Sequence, residues 1–138
     1  SIHAEFKELF SSWFSKLIED ESIQVTLGES FEPQVTQNGY DATLEQLSGG
    51  EKTAVALAYR LSLYKVVTDF ISTVNTKDLL ILDEPTDGFS TEQLDKVKEV
   101  LRELNCEQII LVSHEVQMEG LCDHVIRVAK KGHRSVVH

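Results

Sequence analysis

Two short apolar runs separated by one helix-length segment constrain this chain more than anything else in it. Leu79 to Leu82 is continuous apolar sequence ended by Asp83-Glu84-Pro85, and Ile109-Ile110-Leu111-Val112 is a second such run ended by Ser113-His114. Runs of this kind are expected of strands buried on both faces. Between them, residues 91–104 carry helical periodicity, and Ser90 with Gln93 has capping-box spacing. Strand, helix and strand make a βαβ unit, which places the two strands parallel and adjacent.

The flanking segments fit an α/β domain. Phe6, Leu9, Phe10, Trp13, Phe14, Leu17 and Ile18 recur at helical steps, predicting an amphipathic helix over 4–21 with a wide aromatic face. That face either docks on the domain's own core or meets another chain segment or protein. Ile23, Val25 and Leu27 then alternate with polar residues, and Phe31 to Gln37 is a second extended candidate. Gly28-Glu29-Ser30 is placed to close a hairpin between them, and Asn38-Gly39 is a strong turn signal. Residues 40–46 read as a polar loop. A long helix follows over roughly 51–75, with Ala54, Leu57, Ala58, Leu61, Tyr64, Val67, Ile71 and Val74 on one face and Ala54, Ala56 and Ala58 suited to close packing. Asp123 to Ala129 and Ser135 to Val137 read as final strands around Lys130-Lys131-Gly132.

Composition narrows the function. The 138 residues are enough for one core, and the formal charge is −10. Phosphate contacts need clustered Lys and Arg, so the chain is poorly suited to bind nucleic acid by itself. No apolar run approaches the length of a membrane span, and Cys106 with Cys122 cannot build a disulfide framework or a four-cysteine zinc site. A cytoplasmic globular piece is expected, and an opening on Ser1 suggests part of a longer protein.

Chemistry in parallel α/β sheets collects at the carboxyl ends of the strands. Asp83 and Glu84 stand at one such end and His114 at the other. Carboxylates there suit a divalent cation with a phosphate ligand, with Asp83 near Mg²⁺ and Glu84 aimed at a water; helix caps or solvated loop residues are the plainer alternative. Ser48-Gly49-Gly50 opens the long helix, where backbone N–H groups favour an anion, although such a turn can also be only a turn. Gly50-Glu51-Lys52-Thr53 imitates the end of a P-loop, but that motif needs Gly directly before Lys. A Ser113-His114-Glu115 hydrolase triad is set aside because adjacent residues on an extended segment point apart. Cys122 and His124 lack a convincing second ligand pair, so zinc is not expected. His3, His133 and His138 are expected at the surface.

Together these motifs resemble the ABC-type ATPases. Leu47-Ser48-Gly49-Gly50-Glu51 looks like their signature motif, Leu79 to Glu84 like their Walker B strand, and His114 like their switch histidine. Glu51-Lys52, the long helix, Asp83-Glu84-Pro85-Thr86 and Asp123 to Val128 resemble the Rad-fifty DNA-repair branch in its archaeal form, over about residues 20–138. Other SMC-like proteins, an ABC transporter domain and a non-catalytic module that kept the motifs are the rival readings.

The resemblance implies residues 1–21 as the base of a coiled coil and 22–138 as the carboxyl-terminal lobe of an ATPase head. It implies ATP and Mg²⁺ held mainly by a separate Walker A half of the same protein. Asp83 would complete the metal's surroundings, Glu84 would activate water, and His114 would contact the γ-phosphate. Ser48, Gly49 and Gly50 would meet ATP on a second head, and Leu47, Glu51 and Asp87 are likewise implied as nucleotide-binding residues. Implied partners are that second head as a homodimer, the Mre-eleven nuclease near the coiled-coil base, and double-stranded DNA through the assembled complex. The resemblance places the protein on the nucleoid, or in the nucleus of a eukaryote. One departure stands out: Asp87-Gly88-Phe89-Ser90 replaces the usual Ser-Ala-Leu-Asp, so a serine stands where the superfamily carries aspartate.

Overall fold

The computed structural model describes residues 1–70, 79–132 and 134–137. Helix α1, Ile2–Leu17, begins at the Ser1 cap and ends earlier than its periodicity suggested, because Ile18 is already extended. Its buried face is Phe6, Phe10, Trp13, Phe14 and Leu17. These side chains belong to the single core, where Phe6 stacks on Phe31 at 5.3 Å and both Phe6 and Phe10 meet the Tyr59 ring edge-on. The aromatic stripe therefore packs within this chain, which resolves the alternative between core and outside partner. Glu103 reinforces it from helix α3 (Thr91–Leu104), accepting from Trp13 Nε1 at 2.7 Å and pairing with Lys16.

Strands β1 (Ile23–Leu27), β2 (Pro33–Gln37) and β3 (Tyr40–Ala42) form an antiparallel meander. Strand β1 buries Ile23, Val25 and Leu27 and exposes the residues between them, as its alternation required. The second strand starts at Pro33 rather than Phe31. Phe31 instead closes the β1–β2 turn at φ 62, donating its N–H to the Gly28 carbonyl at 3.0 Å. Asn38 (φ 52) and Gly39 (φ 81) make a turn with both central residues left-handed, the hairpin geometry that matches strand twist. That turn pairs Tyr40 with Gln37, so the expected loop over 40–46 is a third strand followed by a 3-10 turn at Leu44–Gln46.

Helix α2 runs Gly49–Phe70; the expected extension to residue 75, with Ile71 and Val74, lies outside the described residues. Ala54, Leu57, Ala58 and Leu61 are buried as expected. Farther along, Ser62 and Val66 face the core and Val67 does not, since the face drifts with the 3.6-residue turn. Ala56 is exposed beside Pro33 and Tyr59.

Strands β4 (Leu79–Asp83) and β5 (Gln108–Val112) pair in parallel, with α3 as the crossover. Helix α3 buries Leu94, Val97, Val100 and Leu104, is capped reciprocally by Ser90 and Gln93, and ends at Asn105 in the left-handed region. Full burial of both strand faces does not hold. Leu80 and Leu82 are buried, but Leu79 and Ile81 are 45% and 49% exposed, and Ile110 and Val112 are 41% and 49% exposed. The physical reason is one-sided packing: the core covers one face of the pair and, among the described residues, none covers the other. Arg60 of α2 donates to the Ile81 carbonyl at 2.7 Å.

The last hairpin is β6 (Val128–Lys131) with β7 (Arg134–Val137). It starts five residues later than expected, and Gly132 at φ 67 turns it. Residues 123–127 are irregular, held by two hydrogen bonds that the Arg127 guanidinium donates to the Glu119 carboxylate at 2.8 and 2.7 Å. His3 is half-buried rather than on the surface, its ring edge-on to Phe31 at 4.6 Å. His133 and His138 lie outside the described residues. Among the described residues no helix is long and apolar enough to cross a membrane.

Candidate active site

Parallel pairing sets Asp83 opposite Val112, so the next residues of both strands leave the sheet side by side. The Glu84 N–H donates to the Val112 carbonyl at 2.7 Å, prolonging the ladder by one bond. Glu84 then turns sharply, at φ 46, a left-handed conformation that costs a residue with a Cβ about 1–2 kcal/mol. The turn brings its carboxylate back to β5's continuation. Glu84 Oε1 accepts from the His114 backbone N–H at 3.0 Å and lies 2.8 Å from His114 Nδ1.

This contact shifts both partners. The His114 hydrogen bond, above all, holds the Glu84 carboxyl below its ordinary value. Glu84 in turn raises the His114 imidazole, through the hydrogen bond first and charge second, with Glu115 and Asp87 adding to it. Asp87, His114 and Glu115 present ligand atoms all within 4.8 Å of one another. Glu115 was set aside in the sequence with the hydrolase triad. Its N–H bonds Ser113 Oγ at 3.0 Å, while its carboxylate joins the Asp87–His114 group.

The loop after Glu84 is anchored from below. Pro85, Thr86 and Phe89 are buried, the Thr86 hydroxyl points at Met118 Sδ (3.0 Å), and the Phe89 N–H bonds the Thr86 carbonyl. Asp83 and Asp87 stay exposed. Hard carboxylate oxygens such as those of Asp83 suit Mg²⁺, but Asp83 is not part of the Asp87–His114–Glu115 group.

The Leu47–Glu51 turn lies on the other side of this loop. Leu47 is buried and anchors it. The Ser48 N–H bonds Glu51 Oε1 at 2.8 Å, and the Glu51 N–H bonds Ser48 Oγ at 3.2 Å, a full capping box on α2. Its Ser-x-x-Glu spacing is visible in the sequence. A Cβ on Gly50 would lie 3.0 Å from the Gly88 carbonyl oxygen, so two glycine backbones touch here. Ser48, Gly50 and Glu51 share a cleft of about 480 Å³ with Gly88, Ser90, Gln93 and the end of α1. Glu84 and His114 do not line that cleft. The structure thus brings Glu84, His114 and Asp87 together and keeps the helix-opening turn apart, linked through Gly88.

Residues 22–103 match the family model described as SbcC/RAD50-like, Walker B motif. The chain belongs to the SbcC/RAD50-like family. It is 33% identical over 132 residues to the DNA double-strand break repair Rad50 ATPase of Halobacterium salinarum, covering 92% of this chain and 15% of that protein. To the Pyrococcus abyssi Rad50 ATPase it is 38% identical over 107 residues, covering 75% of this chain and 11% of that protein. The chain therefore spans only a small part of the curated relatives it matches. Among solved structures, an SMC head domain from Thermotoga maritima aligns with TM-score 0.64 at 23% identity, over 97% of this chain and 46% of that one. A head bound to the C-winged helix domain of ScpA aligns with TM-score 0.73 at 22% identity, over 99% of this chain and 42% of that one. The SbcC/RAD50-like chain thus has the α/β fold of part of an SMC-type head.

Proposed function

We propose that this chain is the carboxyl-terminal half of the ATPase head of a DNA double-strand-break repair protein, completed by a Walker A half of the same protein. The observation that carries the reading is the Glu84–His114 pair at the end of a parallel strand pair whose second apolar face is uncovered among the described residues. Parallel strands are stable when covered on both faces. A Walker A half would cover Leu79, Ile81, Ile110 and Val112 and bring nucleotide to the residues at the strand ends.

In that assembly Glu84, kept ionised by His114, accepts the proton of the attacking water. With Nδ1 on Glu84, His114 offers Nε2 to a γ-phosphate oxygen. Asp83 would hold Mg²⁺, which would supply neutralisation of phosphate charge. Ser48, Gly49 and Gly50, supported by Leu47 and Glu51, receive the γ-phosphate of ATP bound to a second head, whereas Asp87 stands beside His114 on the hydrolysing side. The separate cleft around Ser48 supports this division into a site that hydrolyses and a surface that engages. Residues 1–21 form the base of a coiled coil and 22–138 the lobe. With the aromatic face of α1 buried, a nuclease of the Mre-eleven type would meet its outer face, around Glu5, Glu8, Ser12 and Ser15. The net charge of −10 leaves double-stranded DNA to the assembled complex, in the cytoplasm or nucleus.

Phosphate release from Mg·ATP tests the reading. This chain alone should be silent and should turn over once joined to its Walker A half, with Ser48→Arg blocking ATP-dependent dimerisation. Turnover by the single chain would overturn the composite site.

A further inference from the structure

The side chain of Gln93, on the first turn of α3, makes two separate attachments. Its Oε1 accepts from the Ser90 N–H at 2.8 Å, capping α3, and its Nε2 donates to the Leu17 carbonyl at 3.4 Å. Leu17 is the last residue of α1, so this carbonyl is one that the helix cannot satisfy internally. One turn along α3, Lys96 reaches Glu19 at 3.5 Å, just beyond the same helix end. Gln93 also borders the glycine contact: a Cβ on Gly50 would lie 3.9 Å from its Oε1 as well as 3.0 Å from the Gly88 oxygen. Gly88 is at φ 79, and a Cβ there would lie 3.3 Å from the Gly50 N. The opening turn of α2, the loop behind Glu84 and the end of α1 therefore meet at two residues.

We propose that Gly88 and Gln93 are positioning residues that join these three segments into one body, so that engagement of a second head at Ser48–Gly50 is transmitted to the loop behind Glu84 and to α1. The proposal rests on the function given above. A cap alone would need only the Ser90–Gln93 exchange; the bond to Leu17 and the glycine contact lie outside that need. Gly50 and Gly88 touch backbone to backbone, so a shift of the α2 opening turn toward the loop presses on Gly88 directly.

The test uses the full protein with its Walker A half and reads the ATP concentration for half-maximal head dimerisation, the nucleotide affinity of a single head, and the melting temperature. Gln93→Glu keeps the acceptor for Ser90 and removes the donor to Leu17; Gly88→Ala wedges the glycine contact. Each should raise the ATP required for dimerisation roughly tenfold, within the usual range of coupling between sites, with single-head affinity unchanged. The double variant should be no worse than the poorer single one, because both break the same junction. Ser90→Ala, which removes only the cap acceptor, should lower the melting temperature and raise the ATP requirement far less than Gln93→Glu does. Unchanged dimerisation in Gln93→Glu and Gly88→Ala, or multiplied effects in the double variant, would overturn the proposal. A Glu84→Gln head that also fails to dimerise on ATP would instead overturn the function on which it rests.

Discussion

Glu84 Oε1 and His114 Nδ1 stand 2.8 Å apart although the residues follow different strands, because β4 and β5 run parallel and in register up to Asp83 and Val112. Each partner favours the charged form of the other. Glu84 titrates below its ordinary range and His114 above its own. The pair's contribution to stability is therefore complete between the ordinary values of the two groups. It is lost as pH falls through the lowered Glu84 value, and again as pH rises through the raised His114 value. Solvent exposure of both side chains keeps that contribution small. A proton-detected titration of the His114 ring should show a midpoint above the ordinary histidine value, and Glu84→Gln should move it down. An unmoved midpoint would mean that the contact does not persist in solution.

The left-handed backbone of Glu84 carries a separate expectation. Glu84→Ala and Glu84→Gly remove the same carboxylate, yet only alanine keeps a Cβ at φ 46. Glycine should be the more stable of the two by about 1 kcal/mol in denaturant unfolding. Equal stabilities would show that the turn relaxes once the carboxylate is gone. Both variants should lack turnover in the assembled head.

What the sequence disclosed, and what it withheld, follows from where each feature gets its cause. Helix α3 and its Ser90–Gln93 cap are local, so spacing alone located them. The aromatic stripe of α1 was equally plain, but its partner was not, since periodicity reports a face and never what covers it. Strands β4 and β5 were legible as strands and misleading as to burial. Ile81 and Val112 are apolar yet half exposed, and among the described residues none covers them, so a run of hydrophobic letters marked the strands without deciding which face is buried. Strand β3 was hidden because Tyr40 and Asp41 are polar and pair only through the Asn38-Gly39 turn. Positive φ at Phe31 and Glu84 is imposed by tertiary contacts on residues that do not favour it. The motifs at Ser48, Asp83 and His114 located the chemistry; the contact of Gly50 with Gly88 required three dimensions.

Trp13 tests whether α1 is integral to the domain. Its ring is fully buried and its Nε1–H bonds Glu103 across to α3. Trp13→Ala should cost about 3–5 kcal/mol by urea unfolding, the usual loss for a large core aromatic. Glu103→Gln should cost about 1 kcal/mol or less, because the Glu103–Lys16 pair is partly solvated. A small loss for Trp13→Ala would make α1 a loosely docked segment rather than part of the core.

The bare face of β4–β5 yields the most discriminating substitution. Ile110 is 41% exposed and packs toward the open side, whereas Leu82, on the neighbouring strand, is buried in the core. Ile110→Lys should therefore change the stability of this chain by no more than about 0.5 kcal/mol, as surface substitutions usually do. Leu82→Ala should cost about 2–5 kcal/mol. Association with the Walker A half should show the opposite order for Ile110→Lys. A lysine carried into an apolar interface either leaves its charge without water or holds the two layers apart, so co-purification of the halves and ATP turnover should both be lost while the isolated chain melts as before. Normal assembly of Ile110→Lys would mean that the second half covers some other surface, and the apolar character of that face would need a different partner to account for it.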